Sequence, residues 1–278
     1  MSILEVLHMK ATYTPIGIVI LAIITLFTSP LLYADNQSIA PANNQSDPGP
    51  HISLSFAVHE RYLANRISRQ LNDEPSLWTQ ANIKWNSGWY ANWLEIHGLN
   101  DSTWSNNSAD ETQVTIGKNW KVWDLDIKAE ATLINIHPIS AWFEHDRLSV
   151  DVYVSKPISL SAKHTITPEL RFIWFADTSD IESGVPIAML SVNHTWKQFC
   201  GRSDLSLKTR LTASWDGGLY ADDASVVMGQ FDTSLNWKIS AQASLQAGIK
   251  LFQPFTHNVS DGRDGLRSSF YVGTSVSF

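Results

Sequence analysis

The amino-acid sequence predicts an all-β fold, an antiparallel transmembrane β-barrel of about twelve strands with short periplasmic turns and longer extracellular loops. Three observations lead there. Apolar and polar residues alternate with a period of two in segments of about ten residues, the length of a tilted membrane strand. The connections between these segments alternate in length, as they do where turns face one compartment and loops the other. After residue 34 no apolar run is long enough for a membrane helix. A membrane protein without such helices must close its sheet, because an open edge leaves backbone donors and acceptors unpaired in hydrocarbon. The barrel is expected over residues 51–278.

Residues 1–34 read as a secretory signal peptide. Lys10 precedes an apolar run from Pro15 through Leu32, and Leu32-Tyr33-Ala34 offers a small residue for cleavage before Asp35. Met9 is a candidate start, since the stretch before it carries Glu5 where such signals prefer positive charge. An uncleaved anchor would show the same run, which approaches a bilayer span. From Asp35 to Pro50 the chain is rich in Asn, Gln, Pro, Ser and Gly. So little apolar surface cannot offset the entropy of ordering, and 35–50 is expected to be a flexible periplasmic leader.

The remainder is one large β domain, 17% charged and 11% aromatic with 12 Trp over the whole chain. The net charge of -7 argues against a nucleic-acid partner. The single cysteine, Cys200, can close no intrachain disulfide and reads as a turn residue.

Taken in order, Ile52, Leu54, Phe56 and Val58 against Ser53, Ser55, Ala57 and His59 predict the first strand. Leu77, Thr79, Ala81, Ile83 and Trp85 against Gln80, Asn82 and Lys84 predict the second, and Asn86-Ser87-Gly88 turns the chain tightly. Trp89, Ala91 and Trp93 mark the third, although Leu94 and Ile96 fall on the opposite parity. Val114 and Ile116 mark a fourth strand, with a turn expected over Lys118–Lys121. The fifth pattern sets Trp123, Leu125, Ile127, Ala129, Ala131 and Leu133 against Asp124, Asp126, Lys128, Glu130 and Thr132. An apolar stripe opposite regular charges fits a lipid-facing wall around a polar lumen; a soluble sandwich would bury the same stripe instead.

Leu148, Val150, Val152 and Val154 mark strand six. Leu170, Phe172 and Trp174 against Glu169 and Arg171 mark strand seven, with Pro168 near its start, where a lost ladder bond is tolerated. Ala188, Leu190 and Val192 give strand eight, Leu205 to Trp215 strand nine, Val227 to Trp237 strand ten, and Ala243 to Leu251 strand eleven. Long connections are expected at Tyr62–Pro75, Leu99–Asp110, Asn135–Asp146, Asp177–Gly184, Asp216–Ala224 and Gln253–Leu266. Trp85, Trp89, Trp120, Trp123 and Trp237 fall near short turns, and Trp174 and Trp215 near long loops, as aromatic girdles would.

The last strand, Arg267 to Phe278, puts Phe270, Val272, Val276 and Phe278 on one face and Tyr271, Gly273 and Ser275 on the other. It resembles the closing strand of bacterial outer-membrane β-barrels. That resemblance implies that Phe278 is read by the barrel assembly machinery and that the protein lies in the bacterial outer membrane among its lipids. Near the amino end, Arg66-Ile67-Ser68-Arg69-Gln70, Glu74-Pro75-Ser76-Leu77-Trp78 and Ser87-Gly88-Trp89-Tyr90-Ala91-Asn92-Trp93 resemble a family of uncharacterised proteobacterial outer-membrane proteins. Members tend to read Arg-Gly-x-Ser-Gln, Pro-Ala-Leu-Gln and Ser-Gly-Phe-Tyr-Ala-Gly-x-Trp at similar spacing; this chain lacks the first Gly and carries Arg69 between Ser68 and Gln70. The resemblance implies location and fold and brings no activity with it.

No nucleophile elbow, HExxH, P-loop or dinucleotide fingerprint is present. His145 beside Glu144 and Asp146, His97 near Asp101, and His257 near Asp261 are the positions an outer-membrane hydrolase could use. No two His stand at a recognised metal-ligand spacing, so neither metal nor cofactor is expected. The inward-facing charges are more informative: Lys84, Asp124, Asp126, Lys128, Glu130, Asp151, Glu169, Arg171, Lys208, Arg210, Asp232 and Lys250 are expected to line the lumen. Strands five and nine lie four apart in a ring of about twelve, so their acidic and basic groups are expected to oppose each other across it. A barrel of this size lies between side-chain-filled and open ones. The expected function is therefore a narrow porin-like channel for small hydrophilic solutes. The alternatives are a hydrolase at a loop or rim His, or a structural or adhesive barrel sealed by its own ion pairs.

Overall fold

A computed structural model describes residues 49–64, 69–72, 75–99, 111–135, 147–177, 180–216, 226–254 and 265–278. The expected signal segment and all of the expected leader but Gly49 and Pro50 lie outside these residues, as do His145 and His257. Twelve strands form one antiparallel ring. They are β1 (His51–His59), β2 (Ser76–Lys84), β3 (Trp89–Gly98), β4 (Glu111–Val122), β5 (Leu125–Asn135) and β6 (Arg147–Ser155). The second half comprises β7 (His164–Asp177), β8 (Asp180–Lys197), β9 (Leu205–Asp216), β10 (Val226–Lys238), β11 (Ala243–Pro254) and β12 (Arg267–Ser277). Each pairs with its sequence neighbours, and β12 returns to β1 in register from Ser53↔Ser277 to His59↔Tyr271. The ring therefore has no free edge, which lets the backbone sit in hydrocarbon with its polar groups satisfied.

The strands form where they do because their two faces meet different solvents. Outward side chains include Phe56, Ile116, Phe172, Leu211, Phe270 and Val272, all exposed; Ile116 is 58% and Val272 62% accessible. A continuous apolar surface of this kind is untenable in water and matches acyl chains. The protein is thus a membrane-spanning barrel of the outer-membrane type. Aromatic residues at the turn end combine an apolar ring with a wet tip: Trp237 Nε1 donates to Asp204 Oδ2 at 2.8 Å, and Lys118 lies over Trp89, 5.4 Å from its centroid.

Both barrel ends of the chain, His51 and Ser277, emerge on the side of the connections at 85–88, 123–124 and 239–242, which is the periplasmic side. Two connections differ from expectation. The turn placed at Lys118–Lys121 lies instead at Trp123–Asp124, between the paired Val122 and Leu125. Trp123 adopts φ 55 there, a conformation its bulky side chain disfavours, so local sequence gave no turn signal. The loop expected over Asp177–Gly184 is largely strand: β7 and β8 run on to Asp177 and Asp180. Pro168 is tolerated because its N and carbonyl point to the same side, where the carbonyl accepts from Lys156 N at 3.2 Å just beyond the last paired residue of β6, so the missing donor falls outside that ladder.

The core sits inside the barrel, in its extracellular half. Ile96, Ile134, Ile173, Phe175, Ile187 and Met189 converge there from β3, β5, β7 and β8. A short hairpin, Tyr62–Ala64 paired with Arg69–Asn72, lies in the first extracellular connection. Its Tyr62 joins the cluster, and Leu63 is fully buried. The parity conflict in β3 thereby resolves: Trp89, Ala91 and Trp93 face lipid, while Leu94 and Ile96 face this core.

Candidate functional site: the lumen

Strand parity determines what lines the lumen. On β5, β6 and β7 the inner face carries Lys128, Glu130, Asp151, Tyr153, Glu169 and Arg171. Tyr153 Oη donates to Glu130 Oε1 at 2.7 Å, Tyr90 Oη donates to the other oxygen of the same carboxylate, and Lys128 Nζ lies 2.9 Å from it. Arg171 Nε donates to Asp151 Oδ2 at 3.1 Å, with a second, shorter contact from the guanidinium to the same oxygen. The Tyr153 ring separates the two ion pairs, with Lys128 Nζ 3.7 Å and the Arg171 guanidinium 4.6 Å from its centroid. From β9, Arg210 reaches over β8 to Glu169 at 2.9 Å, bonding Ser191 and Thr212 on the way.

These charges pair along one wall and do not oppose each other across the lumen, contrary to the sequence expectation. The reason is reach: in a β-ladder the neighbouring strand is about 5 Å away, closer than the far wall. Burial makes the pairing compulsory, since Asp151 is 0% and Arg171 5% accessible. The opposite wall is built differently. Lys250 of β11 is buried over Trp78 and Tyr271, 5.0 and 5.4 Å from their centroids, and Tyr271 Oη donates to Asp232 Oδ1 at 3.1 Å. His59 stacks between the same two rings at 4.3 and 4.9 Å.

The remaining candidates lie in the periplasmic half. Lys84 and Lys208 share the inner face, are exposed and, among the described residues, make no ion pair. Asp126 sits at the inner start of β5, 2.7 Å from Lys121. Asp124 stands outside the wall, in the turn, where it meets Lys156 at 2.5 Å. The lysine's hydrogen bond holds the Asp124 carboxyl below its usual range, so any stability it lends is present at neutral pH and lost as pH falls through the depressed value. Cavities of about 460, 400 and 370 Å³ occupy this half. The lumen is thus wide and wet below and packed above.

Inward apolar residues are the part of the site that sequence reasoning missed. The parity of Leu94 and Ile96 was their signal, as was that of Ile173 and Phe175, which continue the face of Glu169 and Arg171. His97 projects from the lipid side of β3 and pairs with Glu95 at 3.1 Å. Among the described residues no group of three or more His, Cys, Asp or Glu could hold a metal ion.

No protein-family profile matches this chain, and no curated protein matches it. Solved structures do. The NanC porin aligns with a TM-score of 0.52 at 14% identity, over 80% of this chain and 98% of its own. An outer membrane channel from Pseudomonas putida F1 aligns with a TM-score of 0.50 at 13% identity, over 89% of this chain and 100% of its own. At such identities the likeness concerns the fold, which the chain shares: the closed barrel of outer-membrane proteins.

Proposed function

We propose that this barrel is a narrow porin-like channel for small hydrophilic solutes, lined by Lys84, Asp126, Lys128, Glu130, Glu169, Lys208 and Arg210, with Asp151, Arg171, Asp232 and Lys250 setting its width higher up. One observation carries the reading: the periplasmic half of the lumen is a polar, water-accessible space with fixed charges of both signs, which a structural barrel of this size would fill with side chains. The Tyr62–Leu63 hairpin would act as the extracellular constriction. Within the outer membrane the finer assignment is to the uncharacterised proteobacterial proteins that the Ser87–Trp93 motif resembles. The exposed Phe278, whose N–H bonds Ile52 O at 2.9 Å, would be the feature the assembly machinery reads.

Single-channel recording in planar bilayers tests the proposal. Discrete openings are expected, and a refolded, heat-modifiable protein that never conducts would overturn it.

A further inference from the structure

We propose that the inner wall formed by β2, β3 and β4 carries a subsite for an uncharged polyhydroxylated solute, a sugar or a polyol. This rests on the channel reading, through which the solute would reach the wall. Gln80 and Asn82 of β2, Asn92 of β3, and Gln113 and Asn119 of β4 all line the cavity of about 370 Å³, within the range of about 300–1,000 Å³ usual for small-molecule sites. Five carboxamides in one cavity is a specific chemistry. Each presents a carbonyl acceptor and two N–H donors in one plane, which is what a pair of adjacent hydroxyls needs, since each hydroxyl both gives and takes a hydrogen bond.

The array is pre-arranged. Register sets Asn82 directly opposite Asn92, and Asn92 Nδ2 donates to Asn82 Oδ1 at 2.8 Å. Gln80 Nε2 approaches the same oxygen at 3.4 Å. With that carbonyl engaged twice, Asn82 retains its N–H groups while Asn92 and Gln80 retain their carbonyls, so donor and acceptors stand side by side. Fixing them in advance lowers the entropy cost of binding.

A buried tyrosine supports the cavity from behind. Tyr90 lies against Gly117, where an added Cβ would come within 2.5 Å of the ring carbon bearing the hydroxyl. Only glycine lets the ring settle onto the wall, where it is buried beneath Lys128, whose Nζ lies 5.8 Å from its centroid, and holds the Glu130 carboxylate in place. Among the described lining residues Lys128 is matched by Glu130 at 2.9 Å, and the unmatched Lys84 stands at the exposed end of β2. A site for ions would concentrate charge here. This one concentrates neutral hydrogen-bonding groups.

The test uses the refolded full barrel in a zwitterionic detergent, with saturation-transfer NMR on glucose, maltose and sorbitol, and on tetraethylene glycol as a probe without vicinal hydroxyls. Transfer to at least one polyol and none to the glycol is expected. The double variant Asn82→Leu/Asn92→Leu should weaken that binding about tenfold or more, as two lost hydrogen bonds would. Should the double variant fail to fold, Asn119→Ala, at an exposed position, should still lower the signal. Equal transfer to glycol and polyol, no transfer to any polyol, or a signal unchanged in a folded variant would overturn the subsite. Conductance is recorded in parallel: a conducting barrel that binds no polyol removes the subsite alone, whereas a non-conducting one removes the channel while NMR still reads the subsite.

Discussion

At the scale of single residues, the interior couples charges so closely that removing one exposes another. Asp151 and Arg171 are buried together on adjacent strands. Asp151→Asn would leave a guanidinium uncompensated, and the expected loss is about 3–5 kcal/mol. The temperature at which unboiled protein loses its folded mobility on electrophoresis reads this directly; an unchanged temperature would mean the pair is solvated. Glycine provides a second residue-scale case. A Cβ on Gly248 would meet the Tyr271 ring at 2.5 Å and Thr233 O at 2.6 Å, so Gly248→Ala must push Tyr271 off the wall and away from Asp232. Overpacking of this kind costs about 1–3 kcal/mol, measurable as a lowered urea midpoint in refolding experiments.

At the scale of elements, the proposed channel is expected to narrow where the hairpin after β1 meets the packed core. Tyr62 Oη donates to Glu111 Oε2 at 2.5 Å and its ring meets Trp78 edge-on at 5.3 Å, so polar and aromatic contacts both help hold the hairpin against the packed core. Replacing Tyr62 and Leu63 together by Ala should raise unitary conductance, whereas a conductance equal to that of the parent would place the constriction elsewhere. Neither residue was legible as a plug, because both stand in a polar connection whose paired hairpin, Tyr62–Ala64 with Arg69–Asn72, is too short to show an alternation. The strands themselves were legible wherever one face meets lipid and the other water, as in β5, β6 and β9, since two solvents enforce a period of two. Legibility failed where that contrast vanishes. Between Asp177 and Gly184 the β7–β8 hairpin gave no lipid-facing stripe to read, and the inner face of β3 switches from Asn92 to Leu94 and Ile96 on entering the apolar core. The inner charges were legible as a set, but their partners were not, because pairing depends on which strands are neighbours and how far a side chain reaches.

At the scale of the whole molecule, the ion pairs along one wall leave a simple remainder. Asp126, Glu130, Asp151 and Glu169 each have a cationic partner within 4 Å: Lys121, Lys128, Arg171 and Arg210 respectively. Lys84 and Lys208 have no anionic one among the described residues and stand on opposite sides of the ring, on β2 and β9. The wet half of the lumen therefore carries a net positive field, although the chain as a whole has a net charge of -7. Low-dielectric walls focus such a field along a narrow passage, so the channel is expected to favour anions, and less so as salt screens the lysines over about 10 Å at 0.1 M. Replacing Lys84 and Lys208 by Gln should move the reversal potential in a salt gradient towards cations with little change in stability, because neither side chain is buried or paired. Arg210→Gln would also shift selectivity but should destabilise the barrel, since it strands Glu169. A reversal potential that the double lysine variant leaves unchanged, in a barrel that still conducts, would show that ions pass where these lysines are not felt.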